Sequence, residues 1–127
     1  MAGYVGNIEE KTINNDYFRK VVFTGRHCQL VVMCLKPGEE IGSEVHKNVD
    51  QFFRIEKGKG KVVINGEGKQ VINGVGIVVP AGSEHNVINI STSNDLKLYT
   101  IYSPPQHKDG IVHKTKEDAM ADVTDHL

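Results

Sequence analysis

The feature that most constrains this 127-residue chain is its rhythm: short apolar runs, each broken within a few positions by a turn signal. The runs are "RKVVF", "CQLVVMCL", "GSEVH", "QFFRIEK", "KVVIN", "KQVI", "GIVVP", "HNVINI" and "LKLYTIYS". Between them stand "KPGEE", "EKGKG", "NGEG", "NGVG", "PAGS" and "TSND". Valine and isoleucine pack well on a pleated surface, whereas Gly, Asn, Asp and Pro supply turn geometry. Many strands at spacings of about 8–12 residues predict an all-β sandwich or barrel. Asn65-Gly66 suits a two-residue hairpin, because both residues adopt positive φ at low cost. No βαβ rhythm and no repeat of solenoid length interrupts this pattern.

Two stretches stand apart. Residues Asn14–Lys20 are expected to form a short turn before the first strand. Near the C-terminus, "TKEDAMADVTDHL" carries Thr115 three residues before Asp118, an N-cap pattern followed by good helix formers, which predicts a short helix. Pro104-Pro105 stops the last long strand. The two cysteines, Cys28 and Cys34, lie in one apolar run; on a single strand they stand roughly 20 Å apart, too far for a disulfide. Reduced, buried thiols are expected.

The length fits one domain over residues 1–127. A formal charge of -1 gives no field for holding nucleic acid or anionic lipid. The opening "MAGYVGNIEE" lacks the basic flank and apolar stretch of a secretory signal, and the longest apolar runs fall far short of a bilayer span. A soluble cytoplasmic protein is the expectation.

Alternation places the polar side chains. In an extended segment Glu44 and His46 share a face, and so do Gln51, Phe53 and Ile55. If the two strands are neighbours, Glu44, His46 and Gln51 converge, and His85 joins them from the later run. Two imidazoles, one carboxylate and one amide oxygen suit a divalent first-row metal: iron, manganese, zinc or nickel. Asp50 is a rival to Gln51, but a one-residue slip would turn Phe53 and Ile55 outward, so Asp50 reads as a turn residue.

Two motifs resemble those of the cupin superfamily. The first of that family runs G(X)5-HXH-(X)3–4-E-(X)6-G, and Gly38–Gly58 follows its spacing with Glu44 in place of the first histidine and Gln51 in place of the glutamate. The second runs G(X)5-PXG-(X)2-H-(X)3-N, and "GVGIVVPAGSEHNVIN" fits it at Gly74, Pro80, Gly82, His85 and Asn89. The resemblance implies a double-stranded β-helix (jelly-roll) barrel, here with a short C-terminal helix. It implies a metal at His46 and His85, with Glu44 and Gln51 as chemically competent replacements. The net ligand charge is conserved, since the negative charge has only moved from one corner of the site to another. The set Glu44, His46 and His85 resembles the two-histidine, one-carboxylate triad of non-haem iron sites.

The remaining polar residues read as structural. Gly58, Gly60, Gly74, Gly82 and Pro80 shape turns, and Asn89 buttresses one. His27 is expected at the surface, and His107 and His113 as exposed histidines on an ordered tail rather than a general acid or base. One of Tyr99 and Tyr102 reaches the pocket, whose walls include Met33, Phe53 and Ile55. No nucleophile elbow or phosphate loop is present. Small cupins resemble both sugar-phosphate isomerases, of the mannose-6-phosphate isomerase-like kind, and dioxygenases. The expected function is therefore metal-assisted chemistry on a small oxygenated metabolite, or its capture by a non-catalytic binding or sensor module. A homodimer is expected from the resemblance and from unpaired sheet edges.

Overall fold

Burial alternates along the strands as the sequence pattern demands, and it sorts them into two facing sheets. The computed structural model describes residues 2–125. His126 and Leu127, the end of the predicted helical segment, lie outside the described residues. The strands are β1 (Arg19–Thr24), β2 (Gln29–Leu35), β3 (Glu44–Val45), β4 (Asp50–Lys57), β5 (Lys59–Ile64), β6 (Glu67–Ile72), β7 (Gly76–Val79), β8 (Glu84–Asn89), β9 (Leu96–Ser103) and β10 (Val112–His113). Every pairing is antiparallel. One sheet has the order β10-β1-β2-β9-β4-β7 and the other β3-β8-β5-β6. This is the all-β jelly roll expected from the sequence.

The inner faces enclose one core. Gln51, Phe53 and Ile55 of β4 point into it, as do Met33 and Leu35 of β2, Leu96 and Leu98 of β9, and Val87 of β8. Burying a large apolar side chain contributes roughly 1.5–3 kcal/mol, so this layer supplies most of the cohesion. β2 breaks the alternation, being buried continuously from Val31 to Leu35. Its outer face is covered by an element the sequence pattern did not reveal, helix α1 (Ile8–Ile13), which packs on β2, β9 and β4. Asn7 caps α1 by accepting from the Glu10 N–H at 3.0 Å. The segment that follows it is anchored by Lys97, whose ammonium donates to the Asn15 carbonyl and to Asp16 at 2.8 Å. Helix α2 (Lys116–Ala121) starts where predicted, with Thr115 Oγ1 accepting from the Asp118 N–H at 3.1 Å.

Two turns set the connections. Asn65 (φ +48°) and Gly66 (φ +84°) close the β5–β6 hairpin, with Ile64 opposite Glu67. Gly58 carries the chain from the first sheet into the second at φ +108°, and a Cβ there would lie 2.7 Å from the Asp95 carbonyl oxygen. Only glycine fits both demands. Cys34 is buried and burial raises its thiol pKa, but Cys28 is exposed, because it precedes β2 in the turn rather than lying within the strand. Both thiols are free.

Candidate metal centre

The four predicted ligands meet between the sheets, by a route different from the expected one. β3 and β4 are not neighbours: they belong to opposite sheets. β3 instead pairs with β8, which sets Glu44 directly across from His85. Gln51 faces them from β4, next to Val79 and Tyr102 in the ladder. The turn before β8 ties the two motifs together, since Gly82 N–H donates to the His46 carbonyl at 2.9 Å and Ala81 N–H to Asp50 Oδ1 at 2.8 Å. Asp50 is exposed, but it opens β4 opposite Ser103 rather than lying in the turn expected for it. Asn89 is a buttress, donating to the Leu35 and Asn94 carbonyls.

At the centre the donors stand in two pairs. His46 Nε2 lies 3.1 Å from Glu44 Oε2, and His85 Nε2 lies 3.1 Å from Gln51 Oε1. The two imidazole centroids are 5.3 Å apart. No group of three or more His, Cys, Asp or Glu side chains among the described residues stands in metal-holding geometry. Burial pushes the Glu44 carboxyl up, but hydrogen bonding and charge from His46, with Arg19 behind them, outweigh it and hold the group below its ordinary range.

The hydrogen-bond polarity of the site can be followed from its edge inward. His107 Nδ1 lies 2.6 Å from the carboxylate of Asp125, an acceptor only, so this nitrogen carries a hydrogen. Burial, with Arg19, lowers the His107 pKa to about 4, so the ring is neutral and its Nε2 accepts from Tyr102 O–H at 3.1 Å. The Tyr102 oxygen is then left to accept, and the Gln51 amide is a hydrogen-bond partner that favours its ionised form. Gln51 Nε2 donates to Thr100 Oγ1 at 2.9 Å as well, which turns Oε1 toward His85. His85 Nδ1 sits 3.0 Å from the Ser83 carbonyl, so Nδ1 holds a hydrogen. The contact between His85 Nε2 and Gln51 Oε1 is then bridged by a second ring proton or by a cation. Such a contact calls for a positive partner, and the donors around it are of the types that hold a divalent first-row ion. The residues fit the metal by this test.

Several residues differ from expectation. His107 and His113 are both 4% exposed rather than surface groups. His107 is drawn in because the buried Gln29 amide clamps the tail, donating to the His107 carbonyl at 2.7 Å and accepting from the His107 and Gln106 N–H groups. His113 Nε2 donates to Asp122 Oδ2 at 3.0 Å, a contact that drives the Asp122 pKa far down. Of the two tyrosines, Tyr102 points inward, with its ring 5.8 Å from His46, while Tyr99 packs outside on Phe52. Arg19 and Asp125 carried no usable signal in the sequence. His27 is exposed, as expected. A cavity of about 410 Å³ adjoins the cluster, with Arg19, Glu44, His46, His107, Lys116 and Asp125 in its wall. A larger depression of about 980 Å³, formed by turns around Lys57 and Ser93, shares no residue with the cluster.

A two-sheet jelly roll with a histidine-bearing cluster between its layers defines the cupin class, and the chain belongs to the cupin family: the cupin-domain model matches residues 31–102. Its relatives make the match tighter. The crystal structure of BH2720 from Bacillus halodurans is 44% identical, covers 94% of both chains and superposes with a TM-score of 0.90. The uncharacterized protein YrkC of Bacillus subtilis is 49% identical over 93% of this chain, which spans about two thirds (66%) of YrkC. KdgF from Halomonas sp., at 22% identity and a TM-score of 0.64 over 72% of this chain and 79% of its own, shares the fold. No helix among the described residues is long and apolar enough to cross a membrane.

Proposed function

We propose that this protein is a metal-dependent cupin that moves protons on a small oxygenated metabolite bound beside His46. The observation that carries the reading is the convergence of two pairs of donor atoms, His85 Nε2 with Gln51 Oε1 and His46 Nε2 with Glu44 Oε2, each 3.1 Å apart, with the two imidazole centroids 5.3 Å apart. A divalent cation bridges the first pair, and His46 and Glu44 supply the further donors. Iron or manganese suits two imidazoles and a carboxylate, and zinc or nickel is accepted by the same set. Once bound, such an ion supplies Lewis acidity toward a carbonyl, hydroxyl or carboxylate oxygen.

The protein's own groups handle the proton. Burial raises the Tyr102 pKa, so its hydroxyl stays protonated near neutrality and donates to His107. Asp125 fixes the His107 tautomer, leaving Nε2 as the acceptor. The Gln51 amide, on the other side of the tyrosine oxygen, favours negative charge there. A neutral histidine on the cavity wall, held between an acid and a phenol, is equipment for proton transfer. It favours isomerase-like over dioxygenase-like chemistry.

The test is elemental analysis of the purified protein, then thermal denaturation with added Mn2+, Fe2+, Zn2+ or Ni2+. One ion per chain is expected, with a rise in melting temperature that His85→Ala abolishes. In D2O the loaded protein should exchange protons alpha to the carbonyl of small hydroxy-carbonyl compounds. Retained ion without exchange would make the protein a carrier or sensor. No retained ion, together with a melting temperature indifferent to all four, would remove the reading.

A further inference from the structure

One cation in the cavity wall has no partner that balances it. Arg19 is only 8% exposed, yet its guanidinium makes no ion pair with any described carboxylate. Its Nε is buried without a hydrogen-bond partner. One of its five N–H donors is engaged: Nη1 lies 3.5 Å from His113 Nδ1. That imidazole gives its Nε2 hydrogen to Asp122, so Nδ1 is the acceptor and the pair fixes where the guanidinium stands. The Phe18 ring lies under it at 5.2 Å.

An arginine cannot escape burial by losing its proton. A buried charge without its partner is costly, and buried charges are as a rule paired or hydrogen-bonded. The nearby acids do not serve. Glu44 is held by His46, and Asp125 by His107 and the Lys108 N–H. Lys116, the other cation in the wall, also makes no ion pair with a described residue. The wall therefore holds two cations that no carboxylate contacts, set against Glu44 and Asp125, each of which is engaged by a histidine, and its arginine is oriented from behind by histidine and phenylalanine. A planar guanidinium fork matches a planar carboxylate through two parallel hydrogen bonds.

We propose that Arg19 is the specificity residue of this cavity and that it recognises the carboxylate of a small organic acid whose other oxygen end faces His46 and Glu44. The position of that second end rests on the metal reading above, whereas the Arg19 contact does not. The volume of about 410 Å³ accommodates a small acid rather than a polymer.

The test is calorimetric titration of malonate, acetate and inorganic phosphate into the wild type, Arg19→Gln and Arg19→Lys. Each protein is titrated once after EDTA treatment and once loaded with Mn2+, whose own affinity is measured separately. Malonate should bind the wild type in both states, more tightly with Mn2+. Arg19→Gln should weaken it at least tenfold while Mn2+ affinity changes less than about twofold, and Arg19→Lys should fall between. Because substituting Arg19 also removes its buried contacts with His113 and Phe18, the wild type alone gives a second readout: the Arg19 Nε–H NMR resonance should shift on malonate addition. Equal malonate affinity in Arg19→Gln, or an unmoved Arg19 resonance at saturation, overturns the proposal. Phosphate binding in preference to both acids overturns the carboxylate assignment. Failure of Mn2+ to bind while malonate still depends on Arg19 would count against the metal reading and leave this one standing.

Discussion

Protonation of His107 should cost this protein a large part of its stability, in a pH window that few other groups share. The ring is 4% exposed, and burial, aided by the Arg19 charge, takes its pKa from 6.5 to about 4 despite the Asp125 carboxylate. The unfolded chain therefore takes up a proton near pH 6.5, while the native state resists until about pH 4. Between those values the unfolded state binds more protons, so stability falls as pH falls, and it levels off below the lower one. The gap corresponds to about 3 kcal/mol, a sizeable share of the roughly 5–15 kcal/mol that holds a domain of this kind together. Glu44 and Asp122, whose pKa values are lowered, contribute stability that disappears only below the ordinary carboxylate range, so they leave the window from about pH 6.5 to 4.5 clear. The assay is urea unfolding followed by far-ultraviolet circular dichroism at pH 7, 5.5 and 4.5, with EDTA present throughout. His107→Asn keeps an N–H for Asp125 but does not titrate. The wild type should lose about 2–3 kcal/mol more than the variant across the window. Parallel pH dependences, or an NMR titration of the His107 ring with a midpoint at 6.5 or above, would refute the argument.

Other consequences are simpler. Gly58→Ala places a Cβ 2.7 Å from one backbone atom and 3.2 Å from another at φ +108°, and should cost about 3 kcal/mol, whereas Gly66→Ala, with φ +84° and open space, should cost about 1; chemical denaturation of the two variants checks the contrast. The outward face of the larger sheet carries an apolar row, Val78, Phe52, Ile101 and Leu30, aligned across β7, β4, β9 and β2. If this row holds two copies together, light scattering should give a dimer at micromolar concentration that Phe52→Lys converts to a monomer, and a wild-type monomer would dismiss the idea.

The strands and hairpin were legible because they are local. A period of two, an Asn-Gly pair and glycines at sheet crossings act over a few residues, and so does the Thr115 cap. The convergence of Glu44, His46, Gln51 and His85 was legible through motif spacing. What brings them together was not, because sheet order is decided by pairings far apart in sequence: Glu44 meets His85 across a ladder, not Gln51 across a hairpin. Helix α1 was missed for a related reason. Its six residues bury only Thr12 fully, so no apolar period marks it, and its place comes from packing on β2, β9 and β4. The reach from Arg19 to His113 spans 94 positions, and the Gln29 clamp on His107 spans 78. No window of sequence shows that such residues share a site.

That division also explains how the pocket is built. The barrel supplies Glu44 from β3, His46 just past it, Gln51 from β4 and His85 from β8. The groups that give this cavity its own chemistry come from outside the motifs: Arg19 from the first strand, and His107, His113, Lys116, Asp122 and Asp125 from the chain after β9. They are interdependent, since Asp122 orients His113 and His113 positions Arg19, while Asp125 orients His107 and His107 takes the Tyr102 hydrogen bond. Gln29, fully buried on β2, anchors this tail through both its amide oxygen and its amide nitrogen. The tail and the motif residues Glu44, His46, Gln51 and His85 communicate through Tyr102, which meets Gln51 and His46, and through the guanidinium field that reaches Glu44.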